Sequence, residues 1–301
     1  MVRTAHRLIR QLHARRVWHA YLFVAPIVIL FGVFRVVPSV QTLLYSVYRV
    51  ELLRGRFTFV GLENFRELLA DPTFHRAGWN TLVYVAVIVP AAAALGLFFA
   101  VLFDTRFPLR ELFKAVYFAP MVTSTVAAAV VWWWLYNPQF GLFNVLLRLV
   151  GLPVQPWLMS SRTAMFSILL FSLWKSLGYN MVVYLAGLQA IPVSFLEAAT
   201  IDGAGGLQRF RRITLPLLAP TTAFLLIYNS IQAFQVFDQV FVLTSGGPAG
   251  STNVVVLDLY RQAFERYNFG YAAAEATVLF GLILGVTVLQ YAYSKRFEVS
   301  Y

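Results

Sequence analysis

Two stripes of polar side chains interrupt otherwise apolar stretches of the sequence. Ser172, Ser176, Tyr179 and Asn180 recur at near-helical spacing in one, with Lys175 beside them; Asn229, Gln232, Gln235 and Asp238 recur every three residues in the other. Amides and hydroxyls in such a pattern suit the hydroxyl groups of a sugar, and the rings of Tyr179, Trp174, Phe234 and Phe237 suit its apolar faces. The same amides could instead bond neighbouring helices to one another. Lys175 could meet an anionic solute, pair with Asp238, or snorkel toward an interface, and the sequence leaves the three open. Covalent chemistry is poorly provided for. All four histidines (His6, His13, His19 and His75) precede the second apolar stretch, there is no cysteine, and none of the three lysines (Lys114, Lys175, Lys295) follows a glycine. That excludes a Cys-ligated metal site and the glycine-rich loop ending in Gly-Lys that cradles nucleotide phosphates. With no Ser/His, paired-Asp or HExxH arrangement either, the expectation is a non-catalytic chain with no metal and no cofactor of its own.

The surroundings of these stripes explain their cost. Of 301 residues, 59% are hydrophobic and only 12% charged, against about 25% charged in a soluble domain. Six apolar stretches, near 18–37, 79–103, 112–135, 163–188, 217–243 and 272–294, are each long enough to cross a hydrocarbon core of about 30 Å. The ten-residue alternation of a membrane barrel is absent, so the spans read as helices, with Pro26, Pro90 and Pro120 tolerated as kinks. The first 17 residues carry Arg3, Arg7, Arg10, Arg15 and Arg16. The apolar stretch after them is too long for a signal sequence, so the first span is expected to be retained. With the N-terminus inside, the cytoplasmic segments hold thirteen Lys and Arg against nine outside, which places both termini in the cytoplasm of a bacterial-type inner membrane. The net charge of +11 is thus an orientation signal; no basic soluble module suggests nucleic acid. Arg35 is expected to snorkel at the outer end of its span, and Trp132, Trp133, Trp134 and Tyr136 to form an interfacial belt. The resulting organisation is a basic segment at 1–17, a first helix and outer loop at 18–78, a core of helices at 79–294, and a tail at 295–301.

The loop between the fourth and fifth spans, 189–216, has an internal logic. Ser194 and Glu197 have capping-box spacing, predicting a helix from about 195. Gly203, Gly205 and Gly206 should end it, and Arg209 to Ile213 make a second short amphipathic piece before Pro216. The product is an elbow at the membrane surface. The bland alternative is a capped helix whose arginines only anchor the loop to lipid headgroups.

Glu197-Ala198-Ala199, Asp202-Gly203-Ala204, Phe210, Ile213 and Leu215-Pro216 resemble the EAA motif of permease subunits in binding-protein-dependent ABC importers. Phe237-Asp238, the run Leu243 to Pro248 (L-T-S-G-G-P), Phe269 to Ala272 (F-G-Y-A), Trp174-Lys175 with Tyr179, and Gly61 to Phe65 (G-L-E-N-F) are similar to the carbohydrate branch, of the maltose and glycerol-3-phosphate type. The resemblance implies an all-α, six-span type I importer permease. It implies a pore shared with a second permease, expected to form a heterodimer, and two copies of a cytoplasmic ATPase that bind ATP and Mg. It also implies an extracytoplasmic binding protein that delivers the solute. Glu197, Ala198, Ala199, Asp202, Gly203 and Phe210 would form the ATPase-coupling loop. Ser176, Tyr179, Asn180, Asn229, Gln232, Gln235 and Asp238 would be candidates for the solute path. An oligosaccharide or sugar-like solute is expected first, and glycerol-3-phosphate or a phosphodiester second. A stand-alone secondary transporter would leave the elbow without a purpose.

Overall fold

The computed structural model describes residue 18 and residues 21–51, 55–105 and 108–295. The basic segment 1–17 and tail residues 296–301 lie outside the described residues. Helix α1 (Tyr21–Tyr45) leads into an antiparallel hairpin, β1 (Tyr48–Glu51) and β2 (Arg56–Phe59), and then a short helix, α2 (Glu63–Ala70). Helix α3 (Pro72–Asp104) is one unbroken span of 33 residues. Asp71 caps it by accepting from the Thr73 N–H at 2.7 Å, and Pro72 starts it without wasting a donor. Burial works against the Asp71 carboxylate, but hydrogen bonds from Thr73 and the Tyr271 hydroxyl outweigh it and hold the group below its ordinary value.

The third and fifth spans depart from expectation. Apolar length predicts one stretch for each, but the third is α4 (Arg110–Val122) followed by α5 (Thr125–Leu135) at a bend of 103°. Helix α6 (Leu142–Leu149) then leads to the unbroken fourth span, α7 (Ala164–Gln189). After the elbow helices α8 (Val193–Ile201) and α9 (Gly206–Leu217), the chain bends by 62° into α10 (Ala219–Phe234). The expected stretch 217–243 stops at Phe234 and restarts as α11 (Asp238–Thr244). The first break is hidden by the apolar residues Met121-Val122 and Val126 to Val131 around it, and the second lies among Gln232, Gln235, Asp238 and Gln239, a polar run that also reads as a stripe on a continuous helix. A short α12 (Val255–Tyr260) precedes the last span, α13 (Phe269–Ser294). By length and composition four helices among the described residues could each cross a membrane, and six spans result if each bent pair counts as one.

The spans pack through small residues, as membrane helices do. A side chain on Gly96 of α3 would run into Asn180 of α7, and one on Gly178 of α7 would meet the Tyr117 carbonyl of α4 at 2.5 Å. Two apolar clusters result. One gathers Phe103, Tyr184, Leu185, Ile191 and Leu218 at the elbow end. The other gathers Tyr84, Trp132, Tyr136, Trp157, Phe171 and Leu257. The second corrects the expected belt. Trp132 and Tyr136 are buried, with ring centroids 5.5 Å apart and the Tyr136 hydroxyl donating to the Ser167 carbonyl at 2.7 Å. Only Trp133 and Trp134 remain exposed.

Candidate functional site

Both helix breaks open onto one cavity of about 610 Å³. Its wall takes Tyr84 and Ile88 from α3, Thr123 to Thr125 from the first break, Ser172, Lys175, Ser176, Tyr179 and Asn180 from α7, Tyr228, Asn229 and Gln232 from α10, and Gln235 to Gln239 across the second break. Irregular backbone at membrane depth is tolerated where it lines a cavity. All seven residues expected on a solute path, Ser176, Tyr179, Asn180, Asn229, Gln232, Gln235 and Asp238, line this wall.

The seven are not equivalent. Asn229 donates to the Asn180 Oδ1 at 2.7 Å, and Asn180 returns a longer bond to Asn229 at 3.4 Å while also reaching the Ser176 carbonyl at 3.0 Å. Both are buried. This pair ties α7 to α10, which is the helix-bonding role. Gln232, Gln235 and Asp238 are exposed toward the opening, and Tyr179 stacks on Tyr228 with centroids 4.5 Å apart. Of the four rings suited by sequence to sugar faces, only Tyr179 and Phe237 line the cavity; Trp174 packs on Trp132 and Phe234 is buried. Asp238 is not a buried charge: it starts α11 in an exposed position. Lys175 is turned onto the backbone rather than out to an interface. Its ammonium donates to the Pro120 carbonyl at 3.0 Å and the Thr123 carbonyl at 2.7 Å.

Among the lining residues that escaped the sequence are Gln239, Tyr84 and Tyr228. Gln239 donates to the Tyr84 hydroxyl at 3.0 Å and to Ser172 at 3.4 Å, and Tyr228 faces Tyr179. Gln239 sits one residue off the three-residue period that picks out its neighbours. A lone hydroxyl such as that of Tyr84 in an apolar helix gives no period at all.

At the elbow, the helix begins earlier than its capping-box spacing predicts. Pro192 holds an extended backbone (φ −58°, ψ 128°) as the residue before α8, so Val193 is already helical and no side-chain cap bond forms. Ser194 lies inside the first turn, where its hydroxyl does not cap. The other end is as expected. Gly203 adopts φ +77°, with its N–H on the Thr200 carbonyl and the Ala204 N–H on the Ala199 carbonyl, a Schellman stop. Arg209 donates to Thr200 Oγ1 at 2.8 Å and folds α9 back on α8. Glu197, Ala198 and Asp202 are exposed, Ala199 is buried, and Phe210 is half-buried. Ile201 is 87% exposed beside them, an apolar edge next to a carboxylate.

The remaining motifs are clamps at the hairpin end. Asn64 of G-L-E-N-F donates to the Ser46 and Tyr48 carbonyls at 2.8 and 3.0 Å, and Gly270 leaves the room that the Tyr48 carbonyl occupies. Asn80 of α3 holds the loop after T-S-G-G-P through the Gly250 and Asn253 carbonyls, at 3.0 and 2.8 Å.

The profile of the family described as "binding-protein-dependent transport system inner membrane component" matches residues 92–299. The sn-glycerol-3-phosphate transport system permease protein UgpA of Pectobacterium atrosepticum is 34% identical over 290 residues, covering 95% of this chain and 97% of that protein. A probable ABC transporter permease protein of Pyrococcus horikoshii is 35% identical, covering 90% and 94%. Among solved structures, a bacterial alginate ABC transporter in complex with an alginate pentasaccharide-bound periplasmic protein superposes with a TM-score of 0.83, covering 94% of this chain and 96% of that one. At 23% identity this likeness speaks for the fold.

Proposed function

The chain belongs to the family of binding-protein-dependent transport system inner membrane components, and from that premise we propose that it forms half of the translocation pore of an ATP-driven importer for a carbohydrate or sugar-like solute. The observation that carries this reading is the convergence of hydroxyls, amides and two stacked tyrosine rings on one cavity at two helix breaks. Exposed amides such as Gln232 and Gln235 meet hydroxyl groups, and Tyr179, Tyr228 and Phe237 offer faces for a sugar ring. A second permease subunit supplies the other half of the pore. An extracytoplasmic binding protein delivers the solute, in keeping with the periplasmic protein named for the alginate transporter.

With no nucleotide-binding loop of its own, the chain must receive work through a surface. The elbow suits that role, with an exposed carboxylate at Glu197 and an apolar edge at Ile201. A separate ATPase, present in two copies and carrying ATP and Mg, docks there on the cytoplasmic side, where both chain termini also lie. Movement of the docked ATPase passes to α7 and α10, the spans that flank the elbow.

One specific observation favours a second reading. The Pectobacterium relative is named for sn-glycerol-3-phosphate, and a cation, Lys175, is in the cavity wall. The test is purification and reconstitution. The tagged chain should bring down a second permease and an ATPase. ATP-driven uptake should appear only in the full complex with its binding protein, for a neutral oligosaccharide rather than glycerol-3-phosphate. Ion-gradient-driven uptake by the lone chain would overturn the importer reading.

A further inference from the structure

We propose that Lys175 is a positioning residue: its ammonium replaces two backbone donors missing at the break between α4 and α5, and so holds the cavity wall open. In a continuous helix the Pro120 carbonyl would accept from the Ser124 N–H, and the Thr123 carbonyl from the Ala127 N–H. Here Thr123 (φ −71°, ψ 140°) and Ser124 (φ −54°, ψ 132°) are extended, and the axis turns by 103°. The Ala119 carbonyl is served by the Thr123 N–H at 3.3 Å and by the Thr123 hydroxyl at 3.0 Å. Pro120 and Thr123 are served by Lys175, at 3.0 and 2.7 Å. Carbonyls freed from helix hydrogen bonds need another donor, and the ammonium supplies it to both.

Electrostatics agrees with the hydrogen bonds. Two of the three ammonium donors are committed to carbonyls. Those carbonyls lie at the negative end of α4, which favours a cation. The lysine is therefore directed inward onto the backbone rather than outward to an interface. Its charge is answered by the helix end, and Asp238 acts on it from the same cavity wall. The residue that looks like an anion receptor thus sets the shape of the wall, whichever solute passes.

The absence of cysteine makes the geometry measurable. Ser124→Cys places a single thiol at the break, exposed on the cavity wall. Labelling of this chain by a charged methanethiosulfonate is read by mass in the complete transporter. Loss of hydrogen bonds to a charged donor shifts an equilibrium about tenfold. Lys175→Met should therefore let the span rejoin and slow labelling at position 124 by about that factor, while Lys175→Arg restores the rate. A separate variant, Thr58→Cys on the exposed hairpin, should label equally in all backgrounds and controls for the reagent, while co-purification with the partner subunits shows that the protein is folded. If Lys175→Met fails to assemble, Lys175→Gln, which keeps a neutral amide donor group without the charge, should give an intermediate rate. A rate in the assembled variant that is unchanged, or faster, overturns the proposal. Either result means that the break stays open without the ammonium. The readout does not depend on which solute is carried, so it fails separately from the carbohydrate reading.

Discussion

The elbow takes its shape from neighbours in sequence, with Pro192 fixing where α8 begins and Gly203, at φ +77°, fixing where it ends. The cavity takes its shape from residues far apart in the chain: Gln239 bonds Tyr84, Asn229 bonds Asn180, and Lys175 holds Pro120 and Thr123. A local device can be lost without disturbing the rest of the fold, whereas each cavity residue that bridges two spans is also part of the packing. Function and stability should therefore separate cleanly at the elbow and only in part at the cavity.

The sharpest contrast is expected in the aromatic cluster behind the cavity. Trp132→Ala removes a buried ring that touches Tyr136, Phe143, Phe171 and Trp174, and should destabilise by about 3–5 kcal/mol. Trp133→Phe, at an exposed neighbour, should stay within about 0.5 kcal/mol. Thermal unfolding of the detergent-purified chain reads both. Equal effects would mean that the three tryptophans form a single interfacial belt after all.

Asn229→Ala comes next, since it leaves the buried Asn180 Oδ1 without its donor. We expect a loss of about 1–3 kcal/mol, seen as a lower unfolding midpoint, whereas Gln232→Ala should leave the midpoint unchanged. If Asn229→Ala melts like the parent but abolishes uptake, the asparagine pair belongs with the solute path instead.

At the elbow, Gly203→Val forces a β-branched residue into left-handed backbone, for about 1–2 kcal/mol of local strain. It should uncouple ATP turnover from uptake while the Asn180–Asn229 contact and the melting curve of the spans persist. Global unfolding of this variant would show that the elbow is not a local device. Glu197→Ala is the mildest in stability. With no cap bond at the start of α8, it should cost less than about 0.5 kcal/mol. It should still weaken retention of the ATPase on a pull-down, and undiminished retention would leave the elbow as a membrane anchor.

The same contrast explains how much is legible in the chain. Span number comes from apolar length, which is local, and so does the glycine stop of α8. The start of α8 escapes a local rule because Ser194 and Glu197 satisfy a spacing that Pro192 overrides by position. The break in the third span is masked in hydropathy by the apolar residues Met121-Val122 and Val126 to Val131 around it, whereas the one in the fifth falls among Gln232, Gln235, Asp238 and Gln239, a polar run that reads equally well as a stripe on a continuous helix. The polar stripes converge on one cavity wall, yet no period distinguishes Asn229, which is spent on Asn180, from Gln232, which faces the opening. The hairpin β1–β2 escapes the sequence, and the start of β1 is held by Asn64, which donates to the Ser46 and Tyr48 carbonyls.

The central claim is that the polar and aromatic groups facing this cavity form the solute path. It is tested most directly by ATP-driven uptake into liposomes holding the complete transporter, with Tyr179→Ala and Gln232→Ala in this chain and basal ATPase activity as the check on assembly. Losing a hydrogen-bond partner in a buried polar site corresponds to about tenfold or more. Uptake should fall by at least that factor in both variants while basal ATPase activity holds. Parental uptake in both would contradict the account and return Tyr179 and Gln232 to helix packing.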